Sequence, residues 1–405
     1  MKIEQFEIKS YKSCVKTSVP FHSRLTALIG INGAGKSNIM TSIYLLKKLF
    51  SRQGYAARAI DESANKCSIK LKFNNEKQDH TFNIFGKYVT DDRNIDDIKL
   101  DKFFWINPED SSKVEIPSIL FNETYTTTQL ANYLDFLSKH NPNDSIQISR
   151  TVLRKIHPII VEVVKFCKGI SYYSASHFSD PSKSPVYLEL EDNKPVRRYL
   201  SNVHTQFITD LFFSSENEPT KFENYINTVN ANGLGLVEEI SFEKYAMPSS
   251  SFEVKSAGKI KEIKKDRVLI VPSFRVYNKN LSANQLSEGT FKTLALVYYI
   301  LTVNSKLLLI EEPEMCIHHG LLNSVMALIK MQSKHKQIIV STHSDYVLDQ
   351  LSPENIILVK YETAKGTVAK QLTKHLKKNE YEALKRYLLE SGNLGEYWKE
   401  GGIDE

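Results

Sequence analysis

The run "GINGAGKSN" holds Gly30, Asn32, Gly33, Ala34, Gly35, Lys36, Ser37 and Asn38 in the spacing G-x-x-x-x-G-K-[ST]. Glycines at these places let successive backbone N–H groups turn inward on an anion, and a helix starting there adds its dipole. The Lys36 ammonium is expected on the β- and γ-phosphates and the Ser37 hydroxyl on Mg²⁺, so the ligand implied is a nucleoside triphosphate with its metal ion.

Three later stretches could complete that chemistry. "LLLIEE" is an apolar strand ending in Glu311 and Glu312. Side chains alternate along a strand, so adjacent acids can serve different tasks. Glu311 is expected to hold Mg²⁺ through water, and Glu312 to orient or deprotonate an attacking water. "STHS" puts His343 just after the apolar "QIIV", at the strand end where ligands bind in open α/β sheets, within reach of a γ-phosphate. "LSEGT" puts Ser287, Glu288 and Gly289 ahead of a helix, with hydroxyl and N–H groups available to an anion. The chain already has one phosphate loop, so that anion is expected to belong to another subunit. Taken singly, the acid pair also reads as an exposed turn, His343 as a structural residue and Ser287 as a plain helix cap.

Elements of matching kind surround these residues. "LTALI" (25–29) is a short apolar strand leading into the glycine loop, and "KSNIMTSIYLLKKLF" has helical apolar spacing. Strand, loop, helix is the setting a phosphate site requires. "RVLIV" (267–271), "KLLLI" (306–310) and "QIIVS" (337–341) lack alternation, as strands covered on both faces do. The helical stretches "FKTLALVYYILTV" and "LLNSVMALIKMQSK" lie between them, giving an α/β pattern. Residues 51–266 read as a mixed, mainly helical insertion without repeats or sustained heptads.

Composition narrows the class. At 41% hydrophobic and 25% charged residues, the chain has the make-up of an ordinary globular protein. No apolar run reaches the ~20 residues of a membrane helix, and the start lacks a signal-peptide pattern, so a cytoplasmic location without a membrane partner is expected. Cys14, Cys67, Cys167 and Cys316 are dispersed, which argues against zinc binding or a disulfide framework. The net charge of +6 permits a nucleic-acid partner without arguing for one.

In this order, "GINGAGKSN", "LSEGT", "LLLIEEPEMCIHH" and "STHS" resemble the ABC-type ATPases of the SMC, RecF and OLD group, and above all the compact ATPases of bacterial anti-phage systems. The resemblance covers residues 1–50 and 267–360. It implies an α/β fold: an ABC-type P-loop ATPase head with a parallel-sheet core, N-terminal antiparallel strands and the insertion, followed by a C-terminal helical tail at 361–405. It further implies ATP and Mg²⁺ as cofactors, hydrolysis of ATP, and a homodimer or higher homo-oligomer. Each ATP would sit between one phosphate loop and the partner's "LSEGT". Lys12 and Ser13 match a basic-Ser pair near the nucleotide. Glu314 to His318 would lie near the dimer interface, with His318 matching the family's histidine and His319 where proline is often found. Gln53, Gln78 and Gln129 are the candidates for a Q-loop glutamine.

A sensor or switch role in defence follows from that resemblance, with PARIS-type and Septu-type ATPases as the nearest analogues. A separate nuclease-type effector and a nucleic-acid or phage-derived trigger are the partners it implies. The residues after His343 are too few for a TOPRIM nuclease domain. The basic stretch at 255–267 reads as a charged hairpin. The segment around Trp398, "GNLGEYWKEGG", matches the end of related defence ATPases and reads either as an effector dock or as a segment packed on its own domain. A RecF-like ATPase acting directly on DNA is the alternative. The long insertion and "EEPE" disfavour a transporter subunit.

Overall fold

The computed structural model describes residues 1–51, 64–74, 78–90, 96–121, 126–130, 132, 150–192, 194–195, 202–254, 260–315, 317–390 and 392–402. Two compact units form, one from Met1–Tyr172, Asn304–Glu312 and Lys330–Glu405, the other from Tyr173–Val303 and Pro313–Ile329.

Alternating apolar side chains open the first unit. Strand β1 (Lys2–Tyr11) buries Ile3, Phe6, Ile8 and Tyr11, and β2 (Cys14–Pro20) returns antiparallel beside it. Strand β3 (Leu25–Ile29) is buried at every position. After the glycine loop, helix α1 (Lys36–Ser51) buries Ile39, Ile43, Leu46 and Phe50 along one stripe. Strands β4 (Asn65–Asn74), β5 (Asp79–Thr90), β6 (Asp96–Ile106) and β7 (Lys113–Glu115) extend the first sheet in the order β2-β1-β4-β5-β6-β7. Phe50 meets Phe103 and Phe121 edge-on at centroid distances of 5.8 and 5.2 Å, which fixes the end of α1 on the core of this sheet. Helix α2 (Arg150–Lys168) covers α1, burying Ile156, Ile160, Val163 and Val164. Strand β8 (Ile170–Ser174) then carries the chain into the second unit.

The second unit contains β9 (Leu188–Glu191), β10 (Lys194–Pro195), α3 (Val203–Asn217), α4 (Pro219–Val229), β11 (Glu239–Val254), β12 (Ile260–Val276), β13 (Lys279–Leu281) and α5 (Glu288–Leu301). Its antiparallel sheet runs β10-β9-β12-β11, with β13 on β12. The core is aromatic: Phe207 on α3 lies edge-on to Phe291 and Tyr298 on α5, at 5.5 and 5.7 Å. The buried Tyr225 hydroxyl donates to the Leu294 carbonyl at 3.1 Å, tying α4 to α5.

Returning to the first unit, the chain forms β14 (Leu307–Glu311), crosses α6 (His319–Gln332), and adds β15 (Gln337–Thr342), the short α7 (Asp345–Leu348), β16 (Ile356–Glu362) and β17 (Gly366–Gln371). The resulting sheet has the order β17-β16-β3-β15-β14-β8. Strands β14, β15, β3 and β16 are mutually parallel, and β17 is antiparallel at the edge. Every residue of β3, β14 and β15 is buried, as their unbroken apolar runs require. Gln337 clasps the chain start, accepting from Ile3 N at 3.0 Å and donating to Ile3 O at 2.8 Å. Helices α8 (Leu372–His375), α9 (Lys378–Leu389) and α10 (Leu394–Lys399) end the fold.

Four expectations change. "RVLIV" lies in β12, paired antiparallel with β9 and β11, and not in the parallel sheet; Ile270 is buried while its neighbours Leu269 and Val271, on the opposite face, are partly exposed, so one face is covered. The stretch 51–266 is no single insertion: β4–β7 and α2 complete the first unit, because β1 presents a second edge that β4 fills. Strands are as prominent there as helices. Residues 361–371 finish β16 and form β17 before any tail helix starts. That tail packs at home, Leu394 joining a core with Ala27, Ile29 and Leu348 against which Trp398 lies partly buried. Gln53 and Cys316 lie outside the described residues, as do residues 255–259 of the basic stretch. Among the described residues no helix is long and apolar enough to cross a membrane.

Candidate functional site

The glycine loop leaves β3, Glu311 ends β14, and His343 follows β15. Because β15 lies between β3 and β14 and all three are parallel, these groups share one edge of the sheet. That is where an open α/β sheet binds ligands.

The loop needs its glycines. Gly30 has φ +151° and Gly35 φ +103°. A Cβ at Gly30 would lie 2.1 Å from the Val359 carbonyl oxygen, and one at Gly35 2.0 Å from Thr367 Oγ1. Gly33, at φ +83°, faces open space and is exposed beside Asn32. Ala34 is buried beneath. Lys36 Nζ donates to the carbonyls of Gly30 at 2.7 Å and Ile31 at 3.1 Å, so a nearly buried ammonium is held on the loop. Ser37 is exposed on the first turn of α1, a turn without acidic residues, so the helix dipole there is not offset by a carboxylate.

A hydrogen-bonded chain braces the loop from beneath. Asn38 Nδ2 donates to Ser13 Oγ at 2.6 Å, and Ser13 Oγ lies 2.7 Å from Thr367 Oγ1, which donates to the Ala34 carbonyl at 3.1 Å. An amide nitrogen only donates, so the Ser13 hydroxyl passes its proton direction on to Thr367. Ser13 thus touches the loop region through Asn38 and Thr367. Its neighbour Lys12 is exposed with φ +48°, its backbone N–H on the Tyr88 hydroxyl at 3.1 Å and its ammonium 5.4 Å from the Tyr11 ring centroid. Burial raises the Cys14 thiol pKa, so this adjacent cysteine is a packed neutral group.

The two acids have different surroundings. Glu311 is 8% exposed, and the Tyr172 hydroxyl donates to its Oε2. Glu312 is partly exposed, with φ +50°, a conformation uncommon for a residue bearing Cβ. Its N–H donates to the Ser341 carbonyl at 2.9 Å, and its Oε1 lies 3.7 Å from His343 Nδ1. A carboxylate and an imidazole thus converge beside the loop's edge of the sheet.

Ser287, Glu288 and Gly289 belong to the second unit. Ser287 caps α5, accepting from Thr290 N at 3.1 Å, and is exposed together with Glu288. Glu288 has a task that sequence reasoning missed. Its Oε1 is 2.7 Å from the buried Lys292 ammonium, one helical turn on. A buried ammonium needs such a partner. Glu314 and His318 are also in this unit, and His318 Nδ1 accepts from Gly320 N at 3.3 Å at the start of α6. His319, the first residue of α6, is exposed.

The fit to Mg²⁺ and a triphosphate rests on donor chemistry: a loop turned by positive-φ glycines ahead of a helix N-terminus, an ammonium held on that loop, one exposed hydroxyl and one buried carboxylate. Mg²⁺ retains waters and phosphate oxygens, so Ser37 as a direct donor and Glu311 acting through water would be enough from the protein. Among the described residues no three His, Cys, Asp or Glu side chains gather. Gln129 is exposed and its Oε1 accepts from Thr126 N at 2.8 Å, a local cap, while Gln78 is exposed just before β5.

The sequence profile of the RecF/RecN/SMC N terminal domain family matches residues 2–367. Structural maintenance of chromosomes protein 2 of Plasmodium falciparum (isolate 3D7) is 31% identical over 88 residues, 19% of this chain and 7% of that protein, so the chain spans a small part of this relative's length. Among solved structures, the SmcHead bound to the C-winged helix domain of ScpA is 15% identical, with a TM-score of 0.47 over 92% of this chain and 99% of that one. The SMC head domain from Thermotoga maritima is 13% identical, with a TM-score of 0.39 over the same shares. Loop, acid pair and strand-end histidine fall within the profile's 2–367 match, and the chain belongs to the RecF/RecN/SMC N-terminal domain family.

Proposed function

We propose that this chain binds ATP with Mg²⁺ at the glycine loop and hydrolyses it. The observation that carries the reading is the shared sheet edge of the loop, Glu311, Glu312 and His343. Lys36 and the loop N–H groups would hold the β- and γ-phosphates, and the metal would be held by Ser37 directly and by Glu311 through water. Bound Mg²⁺ supplies positive charge to the phosphate oxygens. Glu312 orients a water and accepts its proton as the oxygen attacks the γ-phosphorus and the bond to the β–γ bridging oxygen breaks. His343 hydrogen-bonds the γ-phosphate and registers its loss.

Two copies close on ATP, each offering Ser287–Gly289 to the other's γ-phosphate; exposure of Ser287 and Glu288 supports this. The chain then serves as the sensor or switch subunit of an anti-phage system, controlling a separate nuclease-type effector by the difference between its closed and open states. Support for that last step is the motif set "EEPEMCIHH" with "LSEGT".

Glu312→Gln tests the reading. It retains shape and hydrogen bonding but not the base, so ATP is bound and left intact, and light scattering with ATP reports a stable dimer. A monomer at saturating ATP overturns head closure. Co-purification of a nuclease encoded beside this chain, released by ATP turnover, tests the switch.

A further inference from the structure

We propose that Tyr172 is a positioning residue that sets Glu311 for Mg²⁺, an inference that rests on reading Glu311 as the metal's carboxylate. Glu311 is almost fully buried at the end of β14. An ionised carboxylate there requires donors, and being acceptor-only it must receive the phenolic O–H of Tyr172 at Oε2. A bond of this charge-assisted kind is stronger than one between neutral groups and fixes the carboxylate's rotation. With Oε2 engaged, Oε1 would be the oxygen left to hold a metal through water.

The phenol is itself held by the loop's helix. Tyr172 stands on β8, the strand next to β14, and its ring lies against Tyr44, with centroids 5.4 Å apart at 39°. Tyr44 is on α1, whose first turn carries Lys36 and Ser37. One helix therefore supplies the hydroxyl ligand directly and steadies the carboxylate ligand through two rings. The chain enters the second unit one residue after Tyr172 and, on its later pass, two residues after Glu311. Neither "ISYYS" nor any metal-ligand spacing marks this tyrosine in the sequence, because its partner is 139 residues away.

Outer partners of metal ligands typically contribute about ten- to a hundredfold in metal affinity. Tyr172→Phe retains the ring and deletes only the donor. The full chain is titrated with Mn²⁺ in the presence of a non-hydrolysable ATP analogue, free Mn²⁺ being followed by electron paramagnetic resonance. Binding of a fluorescent analogue is measured in EDTA alongside. The expected result is Mn²⁺ binding weakened about ten- to a hundredfold, with metal-free nucleotide affinity within about twofold of wild type. In the Glu311→Gln background the same change should add almost nothing, since the two groups act as a pair. An unchanged Mn²⁺ midpoint in Y172F, or full additivity with E311Q, overturns the inference while leaving the ATPase reading intact. A wild-type chain whose nucleotide binding ignores Mn²⁺ overturns both.

Discussion

Thr367→Val isolates the brace under the phosphate loop. Thr367 is fully buried, and its hydroxyl connects Ser13 Oγ at 2.7 Å with the Ala34 carbonyl at 3.1 Å. Valine matches the shape and removes both bonds. A typical buried hydrogen bond contributes about 1 kcal/mol net, and an acceptor left unpaired costs about 1–3 kcal/mol, so a loss of about 2 kcal/mol is expected. Ala34 sits inside the loop and Ser13 also receives Asn38, so most of that loss falls on the ordered form of the loop. With a factor of ten for each 1.4 kcal/mol, ATP affinity should drop roughly thirtyfold. Fluorescent-analogue titration gives the affinity, and urea unfolding gives the global stability. Thr367→Ser restores the hydroxyl and should stay near wild type. A folded T367V protein binding ATP within about twofold of wild type refutes the brace. So does a serine variant as weak as the valine.

Two further outcomes are expected. Lys36→Ala removes the ammonium bonded to Gly30 O and Ile31 O, and steady-state turnover should fall by about 10²–10³ with circular dichroism unchanged; near-wild-type turnover would sink the phosphate-loop assignment. Gly395→Ala places a Cβ 2.3 Å from the Asp345 carbonyl oxygen and 2.7 Å from Asp349 Oδ1, so α10 should be pushed off α7 at a cost of about 1–3 kcal/mol, read as faster proteolysis of the tail. Equal proteolysis rates would show that the contact at Gly395 yields at little cost.

Short-range chemistry was legible in the sequence. The glycine loop had to be a loop because only its residue types allow φ values such as those of Gly30 and Gly35, and unbroken apolar runs foretold the buried β3, β14 and β15. "RVLIV" misled for the same reason. Five apolar or long side chains in a row look alike whether both faces are covered or, as in β12, one. Long-range pairing was not legible. Thr367 meets Ser13 across 354 residues and Ala34 across 333, contacts that no local spacing encodes. The pairing of β1 with β4, which sets Ile8 opposite Ile69, is likewise long-range, so residues 51–106 read in the sequence as part of an insertion.

Glu312 shows what such pairing contributes to the site. A glutamate continuing β14 would follow Glu311 in extended backbone, but its φ of +50° turns the chain instead. Conformations of this kind cost about 1–3 kcal/mol and persist only where surroundings hold them. Here the holder is the adjacent strand: Glu312 N–H on the Ser341 carbonyl at 2.9 Å, with Pro313 buried next in sequence. The same strand ends in Thr342 and delivers His343, 3.7 Å from the Glu312 carboxylate. Strand β15 thus fixes the backbone of the proposed base and supplies its neighbouring imidazole. A change that displaces β15 must therefore move both groups together, and through the pairing of Thr342 with Ile29 at the end of β3 it reaches the root of the phosphate loop as well.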